Sequence, residues 1–164
     1  MIAFGHTAVG TIVGLWGYQT FGTANPLQGI AITTGVSFAS HYLMDLIPHG
    51  HFFPGTQYKE KVSWAIIFDF LLSVLAFTFI LFNKDGLSLR FFYVLFGIGA
   101  SQLPDIIDGL TFTKYLPTKG LLKLETKFHQ ATHWHGKGAK TLLLGIRDLW
   151  QLTLIVISLV LISR

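Results

Sequence analysis

The sequence predicts an all-α integral membrane protein, a helical bundle of about five transmembrane helices with one amphipathic helix at the interface. Three observations carry that prediction. Hydrophobic residues make up 51% of the 164 and charged residues only 12%, whereas a water-facing domain carries about 25%. Mean hydropathy is +0.56. Apolar stretches close to the ~20 residues that a span requires recur along the whole chain. The same figures exclude a disordered chain and an ordinary water-soluble enzyme domain. With no cysteine, disulfides, thiolate metal sites and cysteine nucleophiles are excluded too. The length fits a single domain, residues 1–164.

The first segment, 5–21, is glycine-rich and stops at the turn signal Gly22-Thr23-Ala24-Asn25-Pro26. It lacks the positive flank of a secretory signal and reads as retained. The second, 27–47, is stopped by Pro48, and the third, 62–82, by Asn83-Lys84-Asp85-Gly86. The fourth runs over 87–107 and the fifth over 141–162. Between these last two, residues 119–135 place Leu121, Leu124, Phe128 and Ala131 on one helical face. Glu125, His129 and His133 form the adjoining stripe, with Lys123 and Lys127 opposite. That is the pattern of an interfacial helix.

Five spans put the termini on opposite sides. The N-terminal side collects Lys59, Lys61, Lys114, Lys119, Lys123, Lys127, Lys137, Lys140 and Arg147, against Lys84, Arg90 and Arg164 on the other. The positive-inside rule makes the first side cytoplasmic. The predicted location is therefore a plasma membrane, with the N-terminus cytoplasmic and the C-terminus outside. The lysines are explained by topology, so no nucleic-acid partner is expected.

All seven histidines and all carboxylates but Asp85 fall on that same side. Ionisable groups within spans are costly and mark candidate functional sites. His41 and Asp45 stand one turn apart on one helical face. They suit a divalent ion, or equally a hydrogen bond at a helix end. Pro48 lets His49 fold back over that end. Asp105 and Asp108 share a face at i,i+3, and paired carboxylates repel unless a proton or a cation intervenes. The alternative is a Leu-Pro-Asp turn with solvated acids. Asp69 sits between phenylalanines inside the third segment. His6 leads a face bearing Gly10 and Gly14, a small-xxx-small pattern that allows close helix packing. His129-x3-His133 has a metal-ligand spacing, and His135 adds a third imidazole. Imidazole and carboxylate without sulfur suit zinc, iron or manganese. So many candidate ligands point to two ions.

These pieces (His6 before small residues, Asn25-Pro26, Ser-His41-x3-Asp45-x2-Pro-His49, Leu-Pro-Asp105-x2-Asp108 and Phe-His129-x3-His133-x-His135) resemble small prokaryotic integral membrane proteins. They are also similar to the membrane-bound metal-dependent hydrolases, and distantly to zinc-dependent phospholipase C. Here the Ser-His-x3-Asp motif comes first rather than last, and the acidic motif has an extra residue between its aspartates.

The combined expectation is a divalent-metal-dependent hydrolase at the cytoplasmic face of the membrane. Its ligands would be His6, His41, Asp45, His49, Asp69, Asp105, Asp108, His129 and His133. His135 or Asp108 would be the acid–base group. The candidate substrate is a phosphorylated lipid or headgroup. The rival expectations are a structural or cofactor-binding subunit of a membrane complex, with partner subunits, and a metal-ion or proton transporter. The hydrolase expectation requires His6, His41, Asp45, Asp69 and Asp105 to meet in one cavity closed by the 129–133 stripe, with His51 and Asp148 outside it.

Overall fold

A computed structural model describes residues 3–47, 61–112, 115–117, 119–132 and 146–164; within its helices the side chains of 61–67, 69, 112 and 146–148 are outside the description. Six helices follow in order: α1 (Ala3–Phe21), α2 (Pro26–Asp45), α3 (Lys61–Asp85), α4 (Leu89–Phe112), α5 (Gly120–Thr132) and α6 (Ile146–Ser163). The described residues contain no strand.

Local chemistry sets several of these limits. Gly22 and Gly86 adopt φ of 46° and 57°, and their amides bond the Tyr18 and Phe82 carbonyls at 2.8 Å. Each is the left-handed residue that closes a helix. Pro26 opens α2 in the first turn, where its missing N–H costs nothing. Pro104 is the departure. It lies inside α4, which continues through it to Phe112, so the alternative of a helix-ending Leu-Pro-Asp turn does not hold and Asp105 and Asp108 keep helical register.

α4 is the central element, packed most extensively on α1 and next on α2. The α1–α4 crossing is tight because glycines meet there. A Cβ on Gly10 would lie 2.6 Å from the Gly97 carbonyl oxygen, and one on Gly14 would lie 2.5 Å from Val94 Cα. Ala8, Leu15, Phe77, Leu81, Phe91, Val94, Ile98 and Ile162 form the apolar core between α1, α3, α4 and α6. Toward the other end of α4 the buried residues turn polar, with His6, Thr7, His41, Asp45, Ser73, Ser101, Gln102 and His129 all enclosed. The outward faces of α3 and α6 carry Leu75, Phe79, Val156 and Val160.

Among the described residues no helix is long and apolar enough to cross a membrane. This corrects the five transmembrane helices and the plasma-membrane location with its assigned sides, and with them the membrane-embedded bundle beside which the sequence places 119–135. Composition averages over the chain, whereas a span needs unbroken apolar sequence. α1 interrupts its run with His6, Thr7, Thr11 and glycines, and α2 with Thr33, Thr34, Ser37, Ser40 and His41. α4 contains Arg90, Ser101, Gln102, Asp105 and Asp108. On α5, Leu121, Leu124 and Phe128 are exposed.

Candidate metal centre

Three helices deliver the central group, and each does so by its end. His41 and Asp45 occupy the last turns of α2, and Asp105 lies in the C-terminal half of α4. His129 comes from α5, which packs on α4 and α2. One ligand atom from each of His41, Asp45, Asp105 and His129 lies within 4.8 Å of all the others, and this group could hold a metal ion. His41 Nε2, His129 Nε2 and Asp45 Oδ2 are mutually 3.1 Å apart. Asp105 Oδ1 lies 3.4 Å from His129 Nε2 and 3.8 Å from His41 Nε2.

His6 reaches the same two carboxylates from α1. Its Nε2 is 3.3 Å from Asp45 Oδ1 and 3.7 Å from Asp105 Oδ2. Its ring stacks on His41 with centroids 4.0 Å apart and planes 16° from parallel. His6, His41 and Asp45 are fully buried, while the Asp105 side chain is 32% exposed. Asp105 therefore lies at the mouth.

The surroundings fix the orientation of His41. Its Nδ1 lies 2.7 Å from the Ser101 carbonyl oxygen. A carbonyl only accepts, so Nδ1 carries the proton and Nε2 of the neutral ring offers a lone pair to the group. The Ser101 hydroxyl bonds the His6 carbonyl at 2.9 Å, tying α4 to α1 behind the site. Gln102 Nε2 donates to the Ala3 carbonyl at 2.6 Å and to Thr7 Oγ1 at 2.7 Å. Tyr42 Oη donates to Glu125 Oε1 at 3.1 Å, and its ring meets Phe128 edge-on at 4.9 Å, which seats α5.

The electrostatics follow from burial and crowding. Burial, helped by nearby His41, pushes His6 down from 6.5 to about 4 against the pull of Asp45 and Asp105. For Asp45 burial pushes upward, but the hydrogen bond from His129 and the adjacent His41 and His6 imidazoles hold it far below the carboxylate range. Asp105 is likewise lowered, because His6 and His41 outweigh its burial. His129 is raised, its burial outweighed by the Asp45 hydrogen bond and the carboxylates around it. Burial raises Asp108 and Glu125.

Of the residues singled out from sequence, the structure brings together His6, His41, Asp45, Asp105 and His129. Asp108 stays at the rim, half-buried, with Gln130 Nε2 at 3.5 Å from its Oδ1. His49, His51, His133 and His135 lie outside the described residues, as do the side chains of Asp69 and Asp148. Sequence reasoning missed Ser101, Gln102 and Tyr42. Glu125 lies on the same stripe as His129, as the sequence indicates, and its role is to accept the Tyr42 hydrogen bond. Tyr42 carried a readable signal, since it follows His41 directly and shares its end of α2.

No family model matches the chain, and no curated protein or solved structure is similar to it.

Proposed function

We propose that the protein is a divalent-metal-dependent hydrolase whose ion is held by His41, Asp45, Asp105 and His129. One observation carries the reading. For ligand distances of about 2.0–2.2 Å, a tetrahedral shell has edges of roughly 3.3–3.6 Å. The five separations that involve His41 or His129 run from 3.1 to 3.8 Å, and all four atoms lie within 4.8 Å of one another. With the proton of His41 fixed on Nδ1, its Nε2 meets Asp45 Oδ2 lone pair to lone pair at 3.1 Å, an arrangement a cation relieves.

Zinc is the expected ion, with iron or manganese accepted by the same donors, and the supply of donors suits two ions. Bound there, a divalent ion polarises a phosphoryl or carbonyl oxygen and acidifies a water. The exposed edge of Asp105 marks the side from which substrate approaches. Asp108, raised by burial, stands beside it with a pKa moved toward the range of a general acid–base group. The substrate class is a phosphorylated lipid. An apolar groove of about 570 Å³, lined by Thr34, Phe38, Leu95, Phe96 and Leu103, runs between the two helices that end in the ligands. It suits the acyl part of such a molecule.

Convergence of five side chains favours this reading over a cofactor-binding subunit with separate histidines. The test is hydrolysis of a short-chain phosphatidic acid by the purified chain, with zinc or manganese and after chelation. Release of phosphate that depends on the ion and is lost in His41→Ala supports the reading. Ion-independent release, or none with either metal, overturns it.

A further inference from the structure

We infer that His6 holds a second divalent ion, joined to the first by the carboxylates of Asp45 and Asp105. The inference rests on the metal-site reading above and extends it to a residue outside the four-ligand group. The two carboxylates are the key. Asp45 turns Oδ2 to His41 and His129 and Oδ1 to His6. Asp105 does the same with Oδ1 and Oδ2 respectively. Each carboxylate thus presents one oxygen to either side, as a bridging ligand does.

The imidazoles set the spacing. His6 and His41 lie nearly parallel with centroids 4.0 Å apart, and a ring nitrogen binds a metal close to its own ring plane. Two ions served by these rings are therefore separated by about the stacking distance. Bridged metals in hydrolytic sites lie about 3.5–4 Å apart. The separations of His6 Nε2 from its two oxygens, 3.3 and 3.7 Å, again bracket the tetrahedral edge of roughly 3.3–3.6 Å. Burial makes the case independent of the carboxylates. His6 is fully enclosed, and neither of its ring nitrogens has a hydrogen bond of good geometry. A buried imidazole left so is costly, and an ion at Nε2 removes the part of that cost that falls on Nε2.

The two positions differ in kind. The first has four protein ligands and would take substrate or water by expanding its shell, whereas the second has three and keeps a place open, as catalytic sites do. The ion on His6 would act beside the first on the same substrate, and Asp105 lies on the route to both.

The experiment uses the full chain, stripped by chelation and titrated with manganese alone, with binding followed by elemental analysis and electron paramagnetic resonance. About two ions per chain with an exchange-coupled spectrum are expected, falling to about one uncoupled ion in His6→Ala. The His6→Gln variant keeps most of the buried volume and checks that loss of the second ion is not loss of fold. The wild-type spectrum decides the matter even if both variants misfold. One uncoupled ion per chain, lost in His129→Ala, overturns the second site and leaves the first. No binding at all overturns both.

Discussion

Charged groups gather at both ends of α4, and the two gatherings are built on opposite principles. At the N-terminal end Arg90 Nη1 donates to Asp85 Oδ1 at 3.1 Å, and its Nη2 donates to the Leu161 and Ile162 carbonyls at 3.1 and 3.2 Å. Lys84 Nζ adds a bond to Ile162 O at 2.6 Å. Cations there cap the C-terminus of α6, and donors meet acceptors. At the C-terminal end imidazole nitrogens and carboxylate oxygens of His6, His41, Asp45, Asp105 and His129 face one another at 3.1–3.8 Å. A structural ion cluster completes itself from the chain's own donors. A binding site leaves its acceptors converging on a point.

Chelation and reloading should separate the two ends most sharply. An ion at about 1,000 times its dissociation constant adds roughly 4 kcal/mol to stability. For a chain of this size that raises the melting temperature by about 8–16 °C. Zinc added to the chelated protein should give this increment, Arg90→Ala should retain it, and Asp45→Asn should show none. An increment that survives in Asp45→Asn would place the ion elsewhere.

The next effect belongs to pH and is read on the chelated protein. His6 titrates at 6.5 when unfolded and about 4 when folded, so between those values the unfolded state binds the extra proton, and stability rises with pH and is lost as pH falls from 6.5 to 4. At 1.36 kcal/mol per unit the loss is about 3 kcal/mol. The raised His129 has the opposite sign, its contribution being complete below 6.5 and lost as pH rises through its folded value. Asp45 and Asp105, both lowered, contribute above about 3.8 and fail only in stronger acid. The metal-free protein should therefore be most stable near pH 6.5. Denaturant melts from pH 4 to 8 check this, and His6→Gln should flatten the limb between 6.5 and 4. A limb of unchanged slope in that variant would assign it to another group.

This contrast also explains what was legible in the sequence. The i,i+4 spacing of His41 and Asp45 follows from helical geometry alone, so the pair could be found before any tertiary contact was known. The same holds for the face that carries His6, Gly10 and Gly14. The five expected spans and the amphipathic segment correspond in place to the six helices, but their membrane assignment does not stand. Composition averages over the chain, and polar residues buried inside the bundle interrupt the apolar run of each helix without lowering that average much. Ser101 was illegible for another reason. Its contribution to His41 is a backbone carbonyl, which every residue possesses. Pro104 left a helix-ending turn open as an alternative, and that alternative fails because its usual cost, a lost helical hydrogen bond at about 3 kcal/mol, is outweighed here by packing of α4 on α1 and α2.

Arg90→Ala should cost about 1.5–3 kcal/mol, as expected for lost hydrogen bonds to a charged group. The loss should be the same with and without zinc, because the residue serves only the capping end. Metal content of the variant, measured by elemental analysis, should equal that of the wild type. A fall in metal content would mean that the two ends of α4 are coupled through the helix, and the contrast drawn between them would no longer hold.

The smallest expected effect tests how α5 is held. His129 comes from a helix of 13 residues, packed on only part of α4 and α2, so its ligand position depends on a few contacts. Tyr42 supplies two of them, the hydroxyl to Glu125 at 3.1 Å and the ring to Phe128 at 4.9 Å. Tyr42→Phe keeps the ring and removes only the hydrogen bond, which is worth about 0.5–1.5 kcal/mol. That loss falls on the docked state of α5, so amide exchange over residues 120–132 should quicken while exchange in α1 and α4 stays unchanged. Zinc affinity should weaken by about two- to tenfold, the same free energy read through binding. Glu125→Gln, which still accepts the Tyr42 hydrogen bond, should lie between wild type and Tyr42→Phe. If Tyr42→Phe leaves both exchange and affinity unaltered, α5 is held by His129 itself, and the order of cause is reversed: the cluster organises the helix rather than the helix presenting the ligand.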